Sequence, residues 1–337
     1  MRRWLSVIGA LLLCLIACGN KNREIPISES RILMDTLVRI SVFNTKHSSK
    51  HVKEILDLAF KEMALIESRT SVHADSSDIY RIERAAGQKA VPVFPDTYRI
   101  LKEAQRISAR TSGAFDVTIG GIKEIWKFDS AHPEVPERDL LQTRLSNVDY
   151  QSICLEDSHV YLSHRGVHLD LGGVAKGYII DRGVAILQEK GIRAGIVDAG
   201  GDMRIFGNHP DRDRWHVGIQ HPRGLRGELL AELHIPETCI ATSGDYERFF
   251  EQDGIRYHHI LDPKTGLPVR ECVSVTIVTE SAIRADAFAT AVFVMGPKKG
   301  LDFIEEDPSL EGVIVFEEEG RLLHVVSNGL QQDIFFH

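Results

Sequence analysis

The chain has 337 residues, of which 43% are hydrophobic, with a formal net charge of −8. That much apolar material can core one or two packed domains, while an acidic balance without clustered Lys and Arg excludes a phosphate-backbone partner such as nucleic acid. Of the five cysteines, Cys154, Cys239 and Cys272 lie far apart and lack the spacings of zinc or CxxC sites. At most one disulfide is open to them, and Cys239 and Cys272, set in apolar runs, are expected as buried unpaired thiols.

At the N-terminus, Met1, Arg2 and Arg3 precede an apolar run over 4–16, the pattern of a signal peptide. The run is shorter than the roughly 20 residues a membrane-spanning helix needs. It ends in Leu15, Ile16, Ala17 and Cys18, similar to the lipobox of bacterial lipoproteins. Residues 1–17 are therefore read as signal peptide, Cys18 as the lipidated mature N-terminus, and 18–30, polar and with a proline, as its tether. No linker interrupts 31–337, which reads as one domain.

Alternation over 37–43 predicts a strand, and apolar residues at Val52, Ile55, Leu56, Ala59, Met63 and Ile66 predict a core-facing helix over 51–68. A second helix is expected near 97–112. Strands follow at 167–171 and 194–198, either side of a helix over 174–190 that Gly191 stops. Further strands are expected at 215–220, 229–235, 257–261 and 273–279, then a helix over 281–295 closed by Gly296 and Pro297, then strands at 312–316 and 322–326. The spacing is too irregular for a doubly wound parallel fold and points to an α+β domain with mainly antiparallel sheets packed by helices.

Several segments carry candidate chemistry. In DLGGVAKGYIID (170–181) an apolar run ends in Asp170, two glycines turn the chain, and Lys176 sits in the first turn of a helix, a junction suited to an anion. Standing alone, the pattern fits a plain turn with a solvated lysine better. Asp286 and Thr290 share one face of an otherwise apolar helix, where a carboxylate needs a partner or a metal. Oxygen donors of this kind suit Mg²⁺, although an arginine such as Arg284 or Arg248 would serve equally as partner. In YHHILDPKTGLP (257–268), only one of His258 and His259 can face a site if the backbone is extended, and Asp262 is placed as an ordinary turn initiator. SGAFDVTIGG (112–121) sets Phe115 and Asp116 in a glycine-rich loop where a ring could lie against a flavin or adenine. VDAGG (197–201) repeats the carboxylate and double glycine.

In this order the segments resemble the ApbE family of flavin transferases, over about 33–296. The resemblance rests on MDT (34–36), SxxxxSSDI (71–79), GAFDVT (113–118), DLGGVAKGY (170–178), DAGGD (198–202), TSGDYERFF (242–250), HILDPKTGLP (259–268) and ADAFATA (285–291). It implies an ApbE-like, T-fold-related single domain that uses FAD as substrate with Mg²⁺ and transfers FMN to a Thr or Ser hydroxyl of another protein, releasing AMP. It places Met34, His73, Ala114, Phe115, Asp116, Asp170, Lys176 and Ile260 against FAD. It places Asp286, Thr290 and the Gly173 carbonyl on Mg²⁺, and it makes His259 the base, with Asp262 beside it as a further catalytic candidate. Asp35, where the family usually has glycine, and His73, where a larger aromatic is frequent, are departures. The acceptors so implied are flavin-carrying subunits of membrane redox complexes, met from the periplasmic side of the inner membrane by a lipid-anchored enzyme. The rival readings are an FAD-binding lipoprotein without transfer and a Mg²⁺-dependent FAD pyrophosphatase giving FMN and AMP.

Overall fold

In the computed structural model, residues 25–43, 46–72, 74–128, 130, 132–225 and 227–337 are described. The signal segment, Cys18 and His73 lie outside them. No helix among these residues is long and apolar enough to cross a membrane.

An eight-stranded sheet forms the spine, and its strands lie side by side in the order in which the chain makes them. Every neighbouring pair is antiparallel. The sequence of elements repeats once. Strands Ile27–Leu33 and Thr36–Phe43 lead through helices, chiefly Ser49–Thr70 and Ala175–Glu189, to strands Ala194–Ala199 and Asp202–Phe206. Strands Thr238–Gly244 and Ser274–Thr279 then lead through helices Ala282–Met295 and Pro297–Glu306 to strands Glu311–Glu318 and Arg321–Val326.

The four helices cover one face, where Val38, Ile40, Ile55, Phe60, Ile180, Ile277 and Phe288 are buried in one cluster. A three-stranded sheet of Trp215–Gln220, Leu229–Ile235 and Ile334–Phe336 covers part of the other. Trp215, Val217, Leu233 and Ile235 pack there against Ile205, Ile240 and Val313. Both faces of the central strands are thus apolar, which is why Ser274–Thr279 is buried at every position.

A third cluster builds one wall of the site. Ile122 and Trp126, on helix Gly120–Trp126, pack with Leu141 and Leu261, and Tyr257 and Phe250 lie against them. The Trp126 indole donates to the Gly266 carbonyl at 2.9 Å, which fastens this helix to the turn that follows His259.

The expected fold class and most expected elements stand. Two strands do not. Residues 167–171 form only a parallel bridge between His168 and Ile119. The strand expected over 257–261 is Ile255–His258, paired with Phe249–Gln252 alone. The first run is apolar because Val167, Leu169 and Leu171 are buried in the main cluster, and the second because Tyr257 and Leu261 join the third; apolarity without a ladder partner does not make a strand. Cys239 and Cys272 are free and buried, as expected.

Candidate active site

The two halves of the sheet meet where Thr238–Gly244 pairs with Asp202–Phe206 through Thr238, Cys239 and Ile240 only. Beyond Ile240 the ladder ends on that side, and the Thr242 N–H donates to Asp202 Oδ1 at 3.1 Å, since a buried amide must find a partner. The gap opens into a cavity of ≈ 550 Å³, within the range of small-molecule sites.

Helix Ala282–Met295 supplies the floor. Burial on nearly all sides suits its run of Ala, Val and Phe, and its N-terminus is capped from outside. Asp181 accepts from the Ser281 hydroxyl and from the Ala282 and Ile283 N–H groups, at 3.0, 3.2 and 3.2 Å. Asp286 and Thr290, one turn apart, face helix Ala175–Glu189. There the Gly177 N–H donates to Asp286 Oδ2 at 3.0 Å, and the two backbones approach so closely that a Cβ on Gly177 would stand 2.1 Å from the Ala282 carbonyl oxygen. Thr290 Oγ1 lies 3.3 Å from Ser243 Oγ. A Cβ on Gly173 would come within 3.2 Å of both Thr290 Oγ1 and the Phe115 ring. The glycine turn, the aromatic loop and the Asp286 face therefore converge on one point.

Asp286 is 5% exposed. Burial pushes its carboxyl up to about 7, with Lys176 opposing the shift and Asp202 adding to it. Arg284, foreseen as a partner, is instead bonded to Asp307 and Ser309. A buried carboxylate beside a hydroxyl, a second carboxylate and a backbone turn is a donor set that fits Mg²⁺, because a divalent cation supplies the compensation the proton otherwise gives.

Lys176 pairs with Asp202. Burial works against its ammonium, but Asp202 and Asp286 outweigh that and hold its pKa above the ordinary value, so it stays cationic. Across the cavity Lys123 Nζ lies 3.0 Å from Asp170 Oδ1, which also accepts from the Gly172 N–H at 2.8 Å. Burial opposes ionisation of Asp170, yet Lys123 and the Gly172 amide keep its pKa below the usual carboxylate range.

His259 and His258 point apart, as two successive extended residues must. His258 is buried against the Phe293 ring, while His259 lines the cavity. Burial, with Lys123 next in weight and His258 and Arg248 behind it, pulls the His259 imidazole down to about 3. The lowered pKa favours the neutral ring, which leaves one nitrogen lone pair free of a proton.

All the expected FAD and metal residues that the structure describes line this one cavity: Met34, Ala114, Phe115, Asp116, Asp170, Gly173, Lys176, Ile260, Asp286 and Thr290. Asp116 does so mainly as a brace, because its carboxylate accepts from the Thr118 N–H and hydroxyl and from the Tyr150 N–H. Asp262 is not part of the lining. Its carboxylate accepts from the Lys264 N–H and the Thr265 hydroxyl at 2.9 and 3.2 Å, so it shapes the turn behind His259. Met34 and Asp35 both take positive φ, 54° and 56°, at the hairpin joining Ile27–Leu33 to Thr36–Phe43. Aspartate tolerates that region better than most residues, so the departure from glycine leaves the hairpin intact, and the Met34 N–H donates to Glu67 at 2.7 Å.

Lys123, Asp202, Ser243, Glu247 and Arg248 also line the cavity and were not assigned individual site roles from the sequence. Asp202, Ser243, Glu247 and Arg248 lay within quoted motifs, so their neighbours gave a signal. Lys123 gave none, because it reaches Asp170 only once Trp126 docks on the Gly266 turn.

The comparisons with known proteins agree with this geometry. The ApbE family model matches residues 34–314. An FAD:protein FMN transferase of Treponema pallidum is 31% identical, over 94% of this chain and 92% of its own length. One from Vibrio cholerae is 30% identical, over 95% and 96%. The crystal structure of the ApbE protein from Thermotoga maritima superposes with a TM-score of 0.83 at 34% identity, covering 91% of this chain and 99% of that one. The Vibrio cholerae flavin transferase ApbE gives 0.82 at 27% identity, covering 92% and 99%. With the family's motifs folded around a single cleft and its solved members sharing the whole architecture, the chain belongs to the ApbE family.

Proposed function

We propose that this chain is an FAD:protein FMN transferase. It takes FAD as substrate in the cleft and, with Mg²⁺, moves the FMN half onto a Thr or Ser hydroxyl of an acceptor protein. The observation that carries this reading is the convergence of Asp286 and Thr290 with the Gly172–Gly173 turn and Lys176 in the lining of one nucleotide-sized cavity. Phosphoryl transfer asks chiefly for charge neutralisation and alignment, and those are what this chain's residues offer.

In the transfer, the acceptor hydroxyl oxygen forms a bond to the phosphorus nearer the flavin, and the bond from that phosphorus to the bridging oxygen breaks. AMP leaves with the bridging oxygen, and the hydroxyl proton passes to the neutral His259 imidazole. Lys176, kept cationic by its carboxylates, lies where it can face the diphosphate. The Phe115 ring offers an apolar wall to a flavin or adenine. Asp286, Thr290 and the Gly173 carbonyl would hold Mg²⁺, which when bound supplies charge against the developing negative oxygens.

Flavin-carrying subunits of membrane redox complexes are the proposed acceptors. Cys18, as a lipid anchor, would hold the enzyme beside them at the periplasmic face of the inner membrane. The reading is tested by incubating the domain with FAD, Mg²⁺ and an acceptor protein and weighing the acceptor. A mass gain equal to an FMN residue, with one AMP per event, is expected. Free FMN without acceptor gain would instead establish the pyrophosphatase, and no AMP would leave only a flavin-binding protein.

A further inference from the structure

On the opposite side of the eight-stranded sheet from the cleft-forming helices, the three-stranded sheet carries a cluster that the transfer reaction does not use. His216 and His234 are cross-strand partners on Trp215–Gln220 and Leu229–Ile235. Their neighbours Trp215, Val217, Leu233 and Ile235 point into the core, so alternation turns both imidazoles outward. The rings stack with centroids 3.7 Å apart and planes 20° from parallel. Glu232 lies two residues before His234 on the same face. Its register partner is Gly218.

The outcome is convergence. Glu232 Oε1 is 2.7 Å from His216 Nδ1 and 2.8 Å from His234 Nε2, and the ligand atoms of all three residues lie within 4.8 Å of one another. The two histidine side chains are each 33% exposed and the glutamate 30%, so an ion can reach them from solvent. The Phe335 ring, 4.5 Å from that of His234, covers one side. Among the described residues this is the one grouping in which three His, Cys, Asp or Glu side chains gather in this way.

The geometry points to a second metal site, a His–Glu–His centre for a first-row transition ion of the Zn²⁺, Ni²⁺ or Cu²⁺ class, separate from the oxygen-lined cleft. Two imidazole nitrogens and one carboxylate oxygen form a donor set that such ions prefer and Mg²⁺ does not. Donors about 2.0–2.2 Å from Zn²⁺ at tetrahedral angles sit roughly 3.3 Å apart. The two separations from Glu232 therefore need to widen by only about half an ångström, and the two imidazole nitrogens already lie within 4.8 Å of each other, adjustments that exposed side chains can make by small χ rotations. Three protein ligands leave one position for water. A bound ion would cross-link two neighbouring strands of the sheet that covers the second core, and so stabilise the fold increasingly with the logarithm of free ion concentration above Kd.

The test uses untagged protein stripped with a chelator and titrated calorimetrically with ZnCl2 in excess Mg²⁺. One equivalent of Zn²⁺ is expected to bind, with a rise in Tm. The affinity should fall roughly a hundredfold or more in His216→Ala and in His234→Ala, and should be unchanged in Asp286→Ala. Absence of Zn²⁺ binding, or binding by the two histidine variants as strong as by the wild-type protein, overturns the proposal. Should either variant fail to fold, Cu²⁺ electron paramagnetic resonance on the wild-type protein decides instead: coupling to two imidazole nitrogens supports the site, and coupling to one or none refutes it.

Discussion

Asp286 and His259 sit in the same cavity with opposite protonation problems. Burial raises the carboxyl to about 7 and lowers the imidazole to about 3, and in each case desolvation disfavours the charged form. Proton and divalent cation then compete for Asp286, so the apparent Mg²⁺ affinity should rise with pH up to about 7 and level off above it. A proton bound with a pKa near 7 weakens the metal roughly thirtyfold at pH 5.5, which Mg²⁺ titrations of FAD turnover at several pH values would measure. His259, already neutral across pH 5 to 8, adds no inflection of its own there. An acid limb near pH 6.5 that excess Mg²⁺ does not move would contradict this division of roles. Asp286→Asn should lower kcat by at least about a hundredfold, the scale of losing a charge-stabilising contact in the transition state, while FAD binding followed by flavin fluorescence falls much less. Asp286 was readable as a candidate from spacing and type, whereas His259 was singled out from His258 only by the family resemblance. Asp262, placed by its position as a turn initiator, keeps that role, with its oxygens bonded to Lys264 and Thr265.

At the scale of elements, the helix that carries Asp286 and Thr290 is held in register by two contacts from helix Ala175–Glu189. Asp181 caps its first turn in place of a local N-cap, and Gly177 lets the backbones touch. Asp181→Ala removes a three-donor cap and leaves Arg204, its salt-bridge partner, uncompensated. A loss of about 2 kcal/mol is expected, seen as a fall of several degrees in Tm, with turnover reduced at temperatures where the variant is still folded. Gly177→Ala should be worse, about 3 kcal/mol, because the added methyl meets backbone that cannot yield. Equal Tm values for Gly177→Ala and wild type would show that the two helices are free to separate. The helix Ala282–Met295 itself was plain in the sequence, bounded as it is by Ser281 and by Gly296 and Pro297. Its cap was not, since the carboxylate responsible lies about a hundred positions away.

For the molecule as a whole, the repeated order of two strands, helices and two strands places the cleft at the seam between halves, where the strand ladder runs out after Ile240. Residues from eight separated segments meet there, which explains why the motifs span most of the chain. The proposed anchor belongs at this scale too. Cys18→Ala in the full chain should shift the protein from the membrane to the soluble fraction while leaving FAD turnover in solution within about twofold of wild type, because a flexible tether contributes encounter frequency and not chemistry. Membrane retention by that variant would rule out the lipid as the attachment.

The amino-acid sequence by itself determined what depends on local pattern: the alternation and 3.6-residue periodicities that define most strands and helices, the antiparallel α+β class, the unpaired buried thiols, and the glycine and carboxylate motifs that mark the family. It could not determine which polar groups satisfy one another across the chain. The Lys176–Asp202 and Lys123–Asp170 pairs, the Asp181 cap and the closeness of His216, Glu232 and His234 were decided by tertiary structure. Each joins residues on different elements, and only burial of the intervening apolar faces fixes the distances on which charge, proton affinity and ligand geometry depend.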